Sequence, residues 1–184
     1  AFDGWFADGE FTEKVTEIKY GSSGNIDLYA KWLPFTFDPH TGTITAYNTT
    51  GGEYVIIPAK INDVEVIGPE AFLGKNLKSV DIPFGVTGYK QIICANQPTL
   101  VEIPDSVTLI GEKAFAYNEL AEVILPANIK IFFEAFYRNY YLTKTQIGDN
   151  AELDQSSFDD SLIQSYQEHG KGTYDKQGDG SWIK

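Results

Sequence analysis

The stretch that decides the fold is PTLVEIPDSVTLIGEKAFAYN, residues 98–118. Its central proline, Pro104, follows the alternating apolar residues Val101 and Ile103, and this arrangement repeats along the chain at steps of 25, 21, 22 and 22 residues. Alternation over so few residues predicts a short strand with one buried face, and the proline ends that strand because it has no N–H to donate. The anchor position is occupied by Pro58, Pro83, Pro104, Pro126 and, in a degenerate fifth copy, Gly148.

Four further sets of residues keep phase with the anchor. A regular period of about 20 to 25 residues predicts a solenoid whose stacked coils share one continuous core. Because Cys94 stands in the aromatic column, we expect it to be a buried structural thiol. The sets are the alternating pairs Val55/Ile57, Val80/Ile82, Val101/Ile103, Val123/Leu125 and Thr145/Ile147, the apolar column Ile61, Val86, Val107 and Ile129, the aromatic column Phe72, Cys94, Phe115, Phe136 and Phe158, and the leucines Leu77, Leu120 and Leu142.

A resemblance to the BspA-type leucine-rich repeat is carried by two of the copies, VIIPAKINDVEVIGPEAF at 55–72 and VEIPDSVTLIGEKAF at 101–115. It covers about residues 35–184. It implies a leucine-rich-repeat-like solenoid of the α/β horseshoe-type class, mostly β with short helical turns, and a single parallel sheet. We expect irregular coils in the second copy, where Cys94 replaces Phe, and in the fourth copy, KIFFEAF at 130–136, which is one residue short.

The chain divides into four segments. Residues 1–32 resemble the second half of a Listeria–Bacteroides (internalin B-type) repeat, in FDGWF at 2–6 and DLYAKW at 27–32, and we expect this piece to pack on the solenoid or to be mobile. FTFDPHTGTITAY at 35–47 is typical of a hairpin. The predicted segments are a partial β repeat at 1–33, an N-terminal capping hairpin at 34–53, BspA-type repeats at 54–148, and a degenerate repeat with a C-terminal cap of one helix and one hairpin at 149–184.

The composition limits the kinds of partner. The chain of 184 residues has a net charge of −12, which argues against nucleic acid and anionic membrane surfaces as partners, because both attract Lys and Arg. No apolar run approaches the ~18 residues of a membrane helix, so we expect no membrane insertion. No signal peptide or anchor is visible, and we expect the chain to be a fragment or mature piece of a longer extracellular or cell-surface protein.

The sequence lacks the common catalytic and phosphate-binding motifs. The two histidines, His40 and His169, are far apart, and there is one cysteine, which argues against a zinc site or a Cys/His nucleophile. DKQGDG at 175–180 mimics the start of a calcium-binding loop, but the glutamate position of such a loop falls beyond Lys184, and a hairpin is favoured. We therefore expect neither an enzyme nor a bound cofactor or metal.

Two groups of residues are candidates for binding a partner. The first group alternates with the buried strand residues and so points outward from the sheet; the alternative is an ordinary exposed sheet face. The second group is rich in Tyr and Arg, which are enriched in binding hot spots; the alternative is half-buried packing. The outward strand row is Ile56, Asp81, Glu102, Ile124 and Gln146, and the tyrosine patch is Tyr117, Tyr137, Arg138, Tyr140 and Tyr141.

The resemblance implies a non-catalytic protein-interaction or adhesion module of a bacterial cell-surface or secreted protein, whose partner is a host or bacterial surface protein or a glycan. One alternative is a carbohydrate-binding module whose exposed tyrosines stack on sugar rings. Another is a passive structural spacer that displays other domains. An enzyme would require convergent groups with strongly perturbed pKa values in one cleft.

Overall fold

The structure is a computed structural model that describes residues 2–61, 64–65, 68–69, 71–82, 88–89 and 93–184. Within these ranges the chain is mostly β, with nineteen short strands and one α-helix. The buried apolar residues form one core cluster, which runs from the hairpin near residue 35 through the repeats to the C-terminal cap. In the described ranges, no helix combines the length and the apolar character that crossing a membrane requires.

The N-terminal segment folds into a three-stranded antiparallel sheet in which the first strand lies between the other two. The ring of Phe2 lies 5.6 Å from the ring of Trp5 and 5.1 Å from that of Trp32, so aromatic contacts hold one face of this sheet. The strands are β1 (Phe2–Phe6), β2 (Lys14–Val15) and β3 (Tyr29–Trp32).

The predicted hairpin before the repeats is present and packs on the first coil. It consists of β4 (Phe35–Asp38) and β5 (Thr43–Tyr47), which pair antiparallel. The second of these strands also pairs in parallel with β9 (Gly68–Pro69) of the first repeat. The rings of Phe35 and Tyr47 lie 6.1 Å and 5.2 Å from the ring of Phe72, so the hairpin joins the repeat core through aromatic contacts.

The strand that precedes each anchor position forms the front ladder of the solenoid. Neighbouring strands pair in parallel and in register, so that Val101 lies beside Val123 and Val123 beside Thr145. All five alternating pairs are buried, as the sequence predicts. The front strands are β6 (Tyr54–Ile56), paired with β10 (Ser79–Asp81), and β12 (Leu100–Glu102), β14 (Glu122–Leu125) and β16 (Lys144–Ile147), paired consecutively.

A second parallel ladder runs behind the first, so the predicted single parallel sheet is wrong. Each coil turns at its anchor, because the proline cannot continue the front ladder, and the buried residue three positions later leads into another extended segment. The apolar column therefore marks the entrance to a second strand. The rear strands are β11 (Gly88–Tyr89), β13 (Leu109–Ile110), β15 (Lys130–Ile131) and β17 (Glu152–Leu153), and in the first copy β7 (Lys60–Ile61) pairs antiparallel with β8 (Val64–Glu65).

The aromatic column lies in turns that close each coil, and the structure corrects one of its members. The amide of Ile93 donates to the carbonyl of Ala114, as that of Phe115 does to the carbonyl of Ala135. Ile93 is therefore the core residue of the second copy and is fully buried, whereas Cys94 is only partly buried. With Ile93 in the aromatic column, the steps of the column alternate between 21 and 22 residues. The core position of the second copy therefore lies one residue earlier than the sequence pattern predicts.

The fourth coil is regular, contrary to the irregular coil that its missing residue predicts. Lys130 and Ile131 pair in register with the rear strand of the third copy, and Glu134 takes the same left-handed turn conformation as Lys113, with φ of 54° and 55°. The ring of Phe136 stacks on those of Phe115 and Phe158, at centroid distances of 5.1 Å and 4.5 Å. In the second copy, residues 83–87 and 90–92, which include Pro83 and Val86, lie outside the described residues.

Three buried asparagines, which the sequence pattern does not single out, tie consecutive coils together. Asn96, Asn118 and Asn139 each follow a core residue of the aromatic column by three positions. Oδ1 of Asn96 accepts hydrogen bonds from two backbone amides of the preceding coil, and Oδ1 of Asn118 accepts from the amide of Asn96 at 2.7 Å. Nδ2 of Asn139 donates to the carbonyls of Phe115 and Phe136. These amides satisfy backbone groups that the turns leave unpaired in the core.

The C-terminal helix and hairpin that the sequence predicts are both present. Asp159 caps helix α1 (Asp160–His169) by accepting a hydrogen bond from the amide of Ser161. Two strands follow, β18 (Gly172–Lys176) and β19 (Trp182–Ile183). The first pairs antiparallel with β16, so the hairpin covers the edge of the front ladder.

Candidate functional site

The tyrosine patch places an arginine against two tyrosine rings. The Cζ atom of Arg138 lies 5.4 Å from the ring centroid of Tyr117 and 5.3 Å from that of Tyr137, and the two rings meet edge to face at 5.9 Å. Contacts of this kind contribute about 0.5–1 kcal/mol each at exposed sites. Tyr140 and Tyr141 are exposed, with 78% and 66% of their surface accessible, whereas Tyr117 and Tyr137 are closer to half-buried, at 45% and 38%. The patch therefore combines two solvent-facing tyrosines with two that are partly packed.

The turn geometry of the repeats explains why these side chains point outward. Gly74, Ala95, Tyr117 and Arg138 occupy equivalent turn positions, at steps of 21, 22 and 21 residues, and all have φ between 57° and 61°. A left-handed conformation costs a residue other than glycine about 1–2 kcal/mol. The first coil uses glycine at this position, whereas the third and fourth coils place large side chains there.

A cleft of about 470 Å³ opens between this patch and the C-terminal cap. We call it the cap cleft. Tyr137, Arg138 and Tyr140 contribute to it, whereas Tyr117 and Tyr141 do not line it. The cap supplies charged residues and one tryptophan, none of which the sequence pattern assigns to a site. The lining residues are Glu134, Phe136, Tyr137, Arg138, Asn139, Tyr140, Leu142, Gln155, Ser156, Phe158, Asp159, Asp160, Lys176 and Trp182.

Most charges in the cap cleft are paired within the protein. Lys176 contacts Asp159 at 2.9 Å, and Lys113 contacts Glu134 at 3.4 Å. Burial raises the pKa of Asp159, but hydrogen bonds from Ser161 and Lys176 outweigh that effect and leave it lowered. A hydrogen bond with Tyr137 raises the pKa of Arg138, so its guanidinium stays charged.

Arg138 differs from the other cations of the cleft. It is the only arginine in the chain. In the part of the chain that the structure describes, no carboxylate lies within ion-pair distance of its guanidinium. Its known contacts are with tyrosine rings and a tyrosine hydroxyl. The tyrosine contacts therefore orient the guanidinium, and no carboxylate among the described residues pairs with it.

The outward strand row divides into two parts. Ile56 lies beside Asp81 on the first two front strands, and Glu102, Ile124 and Gln146 lie side by side on the next three. Ile56 is 71% exposed, whereas Ile124 is partly buried. The last three residues line a groove of about 370 Å³. The remaining lining residues of this groove are Ile103, Pro104, Asp105, Leu125, Pro126, Ala127 and Gly148.

The described residues bring no metal centre together, since they contain no group of three or more His, Cys, Asp or Glu side chains that could hold an ion. Burial raises the pKa of the Cys94 thiol, although Lys113 acts in the opposite direction. Neither the cap cleft nor the groove of the outward row contains this cysteine.

Comparisons with known proteins agree with the repeat architecture. A search of curated proteins and a search of solved structures each found no significant match. The family model described as BspA type Leucine rich repeat region matches residues 44–164 in six copies. The sequence pattern alone yields four good copies and a degenerate fifth, so the family model identifies one copy more. Because the match covers more than half of the chain, the protein belongs to the BspA-type leucine-rich repeat family.

Proposed function

We propose that the chain is a non-catalytic protein-interaction module and that the tyrosine patch is its main contact surface. The observation that carries the proposal is the cluster in which Arg138 contacts the rings of Tyr117 and Tyr137. Tyr and Arg are enriched in binding hot spots. These contacts restrict the side chains before a partner arrives, which lowers the entropic cost of association.

Two charged groups of the cap cleft keep their usual charge at neutral pH, because the pKa of Asp159 is lowered and that of Arg138 is raised. Charged groups of this kind suit contacts with the ions and dipoles of a partner.

The proposed setting is the surface of a bacterial cell, or a secreted protein, with adhesion as the role. Membership of the family supports this setting, as does the resemblance of residues 1–32 to a Listeria–Bacteroides repeat. The strongly acidic composition suits an exposed, soluble scaffold. A protein of a host or bacterial surface is the proposed partner, and the outward strand row is a secondary contact region.

The test is a binding screen of the purified chain against extracellular-matrix proteins and intact host cells. Changing Tyr117 and Tyr141 to Ala should weaken a saturable interaction about 30-fold or more, since a hot-spot loss of about 2 kcal/mol has that effect. Tyr20→Ala is the matched control, because Tyr20 is fully exposed and lies in the N-terminal segment, outside both the patch and the outward strand row. Equal loss in both variants would contradict the assignment of the surface, and no binding in the whole screen would favour the spacer.

A further inference from the structure

We infer that the cap cleft binds a carboxylate-bearing sugar unit, of the uronic-acid or sialic-acid type, with Arg138 as the anchor for the carboxylate. This inference goes beyond the protein-interaction role and does not depend on it. It rests on the lack of an ion pair between Arg138 and any described carboxylate, on the aromatic residues around Arg138 and on the polar groups opposite.

The guanidinium is placed to receive a carboxylate. A guanidinium offers a planar fork of N–H donors that matches a carboxylate with two hydrogen bonds. The chain has 26 acidic residues, yet its single arginine has no ion pair with any described carboxylate. The guanidinium contacts two tyrosine rings and one tyrosine hydroxyl, and with five N–H donors it has more donors than these contacts use.

The remaining lining suits the ring and hydroxyl groups of a sugar. Tyr140 provides an exposed aromatic face, and Gln155, Ser156 and Asp160 provide donors and acceptors. The side chain of Gln155 is exposed, so it can bind a ligand without breaking a core contact. A volume of about 470 Å³ lies within the ~300–1,000 Å³ of ordinary small-molecule sites.

An unpaired cation favours an anionic sugar over a neutral one. Of the two cations that line the cleft, Lys176 is paired with Asp159, so Arg138 is the one that is left for a ligand. Asp160 carries the opposite charge and is exposed, which suits a hydroxyl donor on the far side of the same sugar. A ligand with one carboxylate and several hydroxyls therefore complements both sides of the cleft.

The experiment uses Trp182 as the reporter. The chain has three tryptophans, of which Trp5 and Trp32 are 47% and 71% exposed, whereas Trp182 is 5% exposed and lines the cleft. Oligosaccharides ending in glucuronic acid or sialic acid should cause a saturable change in tryptophan emission. Neutral oligosaccharides of equal length should bind at least 10-fold more weakly. Trp182→Phe should remove the emission change, which assigns the signal to the tryptophan of the cleft.

Two variants separate recognition of the carboxylate from recognition of the sugar ring. Arg138→Lys should weaken the acidic sugars at least 10-fold, because an ammonium lacks the planar fork, and Gln155→Ala should weaken acidic and neutral sugars alike. Tyr141→Ala, outside the cleft, should leave sugar binding unchanged. Equal binding of neutral sugars, full binding by Arg138→Lys, equally effective competition by inorganic phosphate, or no saturable signal with either acid would each overturn the inference.

The outcome is independent of the proposed protein interaction. Tyr117 and Tyr141 do not line the cap cleft, but the ring of Tyr117 contacts Arg138, so Tyr141→Ala alone separates the two proposals. Loss of protein binding in Tyr141→Ala with sugar binding retained would support both proposals. The reverse pattern, sugar binding without any protein partner, would leave the cleft as the functional site.

Discussion

Asn96→Asp should destabilise the fold strongly at neutral pH, although the two side chains have nearly the same shape. Oδ1 of Asn96 accepts from the amides of Lys75 and Leu77, both at 3.0 Å, and Nδ2 donates to the carbonyls of Phe72 and Cys94 at 2.6 Å and 3.2 Å. The residue is 4% exposed. A carboxylate keeps the two acceptor bonds, but it loses both donor bonds and turns a negative oxygen towards two carbonyls.

The expected loss follows from those two bonds. Each buried carbonyl that loses its donor costs about 1–3 kcal/mol, so the pair amounts to about 2–6 kcal/mol. Repulsion by the two carbonyls and burial should raise the folded-state pKa of the new carboxyl and outweigh the two amide donors, which lower it. A net rise of about two units above the unfolded value of about 3.9 is expected, and each unit corresponds to about 1.4 kcal/mol. Protonation also returns one O–H donor to the site.

The sign of the pH dependence is therefore fixed. A raised folded-state pKa means that the folded protein binds more protons than the unfolded chain between about pH 4 and pH 6. The variant should thus regain about 2–3 kcal/mol relative to the native chain as the pH falls through that window. The native chain serves as the reference at each pH, because its many carboxylates also titrate there.

Urea unfolding followed by circular dichroism, at about pH 7 and about pH 4.5, measures both effects. Asn150→Asp is the matched control: it makes the same chemical change at an exposed turn residue whose side chain donates to Asn128. A loss no greater than in this control would refute the structural role of Asn96. A loss that does not shrink on acidification would refute the account of the carboxylate facing two carbonyls.

Three further changes test the packing of the coils and the cap. Gly148→Ala should cost about 1–3 kcal/mol by urea unfolding, since its Cβ would lie 2.5 Å from backbone atoms of the preceding coil, whereas Gly178→Ala meets nothing within 4 Å and should be neutral. Phe136→Ala should cost about 3–5 kcal/mol in the same assay and Phe133→Ala, 47% exposed, under about 1 kcal/mol; similar losses would refute the stack. The lowered pKa of Asp159 means that its contribution to stability is present above the unfolded value of about 3.9 and is lost as the pH falls through the folded-state pKa. Asp159→Asn should flatten this part of the pH dependence of thermal unfolding, and an unchanged profile would contradict the assigned pairing.

The sequence predicts those parts of the fold in which a residue type favours a single local structure. The proline anchor and the alternating pair on either side of Glu102 specify a short strand and its buried face, and the structure agrees. The sequence does not predict the rear ladder, because its strands, such as Leu109–Ile110, are two residues long. A strand of that length is too short to show an alternation of apolar and polar residues. The sequence pattern misassigns Cys94 because the length of a coil alternates between 21 and 22 residues. The pattern alone does not show which copy has which length.

The asparagine row escapes prediction for a different reason. Asn118 and its equivalents stand among turn residues, where asparagine normally indicates an exposed loop. The spacing of 22 and 21 residues between Asn96, Asn118 and Asn139 is visible in the sequence. Its meaning depends on the stacking of coils, which brings Oδ1 of Asn96 to backbone amides 19 and 21 positions earlier in the chain.

The candidate site combines a local part and a long-range part, and only the local part can be predicted. Tyr137, Arg138 and Tyr140 are neighbours in sequence, and their composition indicates a contact surface. Trp182 and Lys176 reach the same cleft because β18 pairs antiparallel with β16 and β19 follows it. No pattern in the sequence specifies that pairing, so the cap residues of the cleft appear only in the structure.

The cap cleft lies where the repetition of the array ends, and this position has a physical reason. Successive coils of a solenoid present nearly the same surface, because each coil covers its neighbour in the same way. A concave site with several kinds of side chain requires a break in that regularity. The break is the cap, since α1 and the antiparallel hairpin replace the next coil beside the turn that carries Arg138. The coils then serve as a rigid support that fixes the direction of Arg138, and the cap supplies the chemical variety that a specific ligand requires.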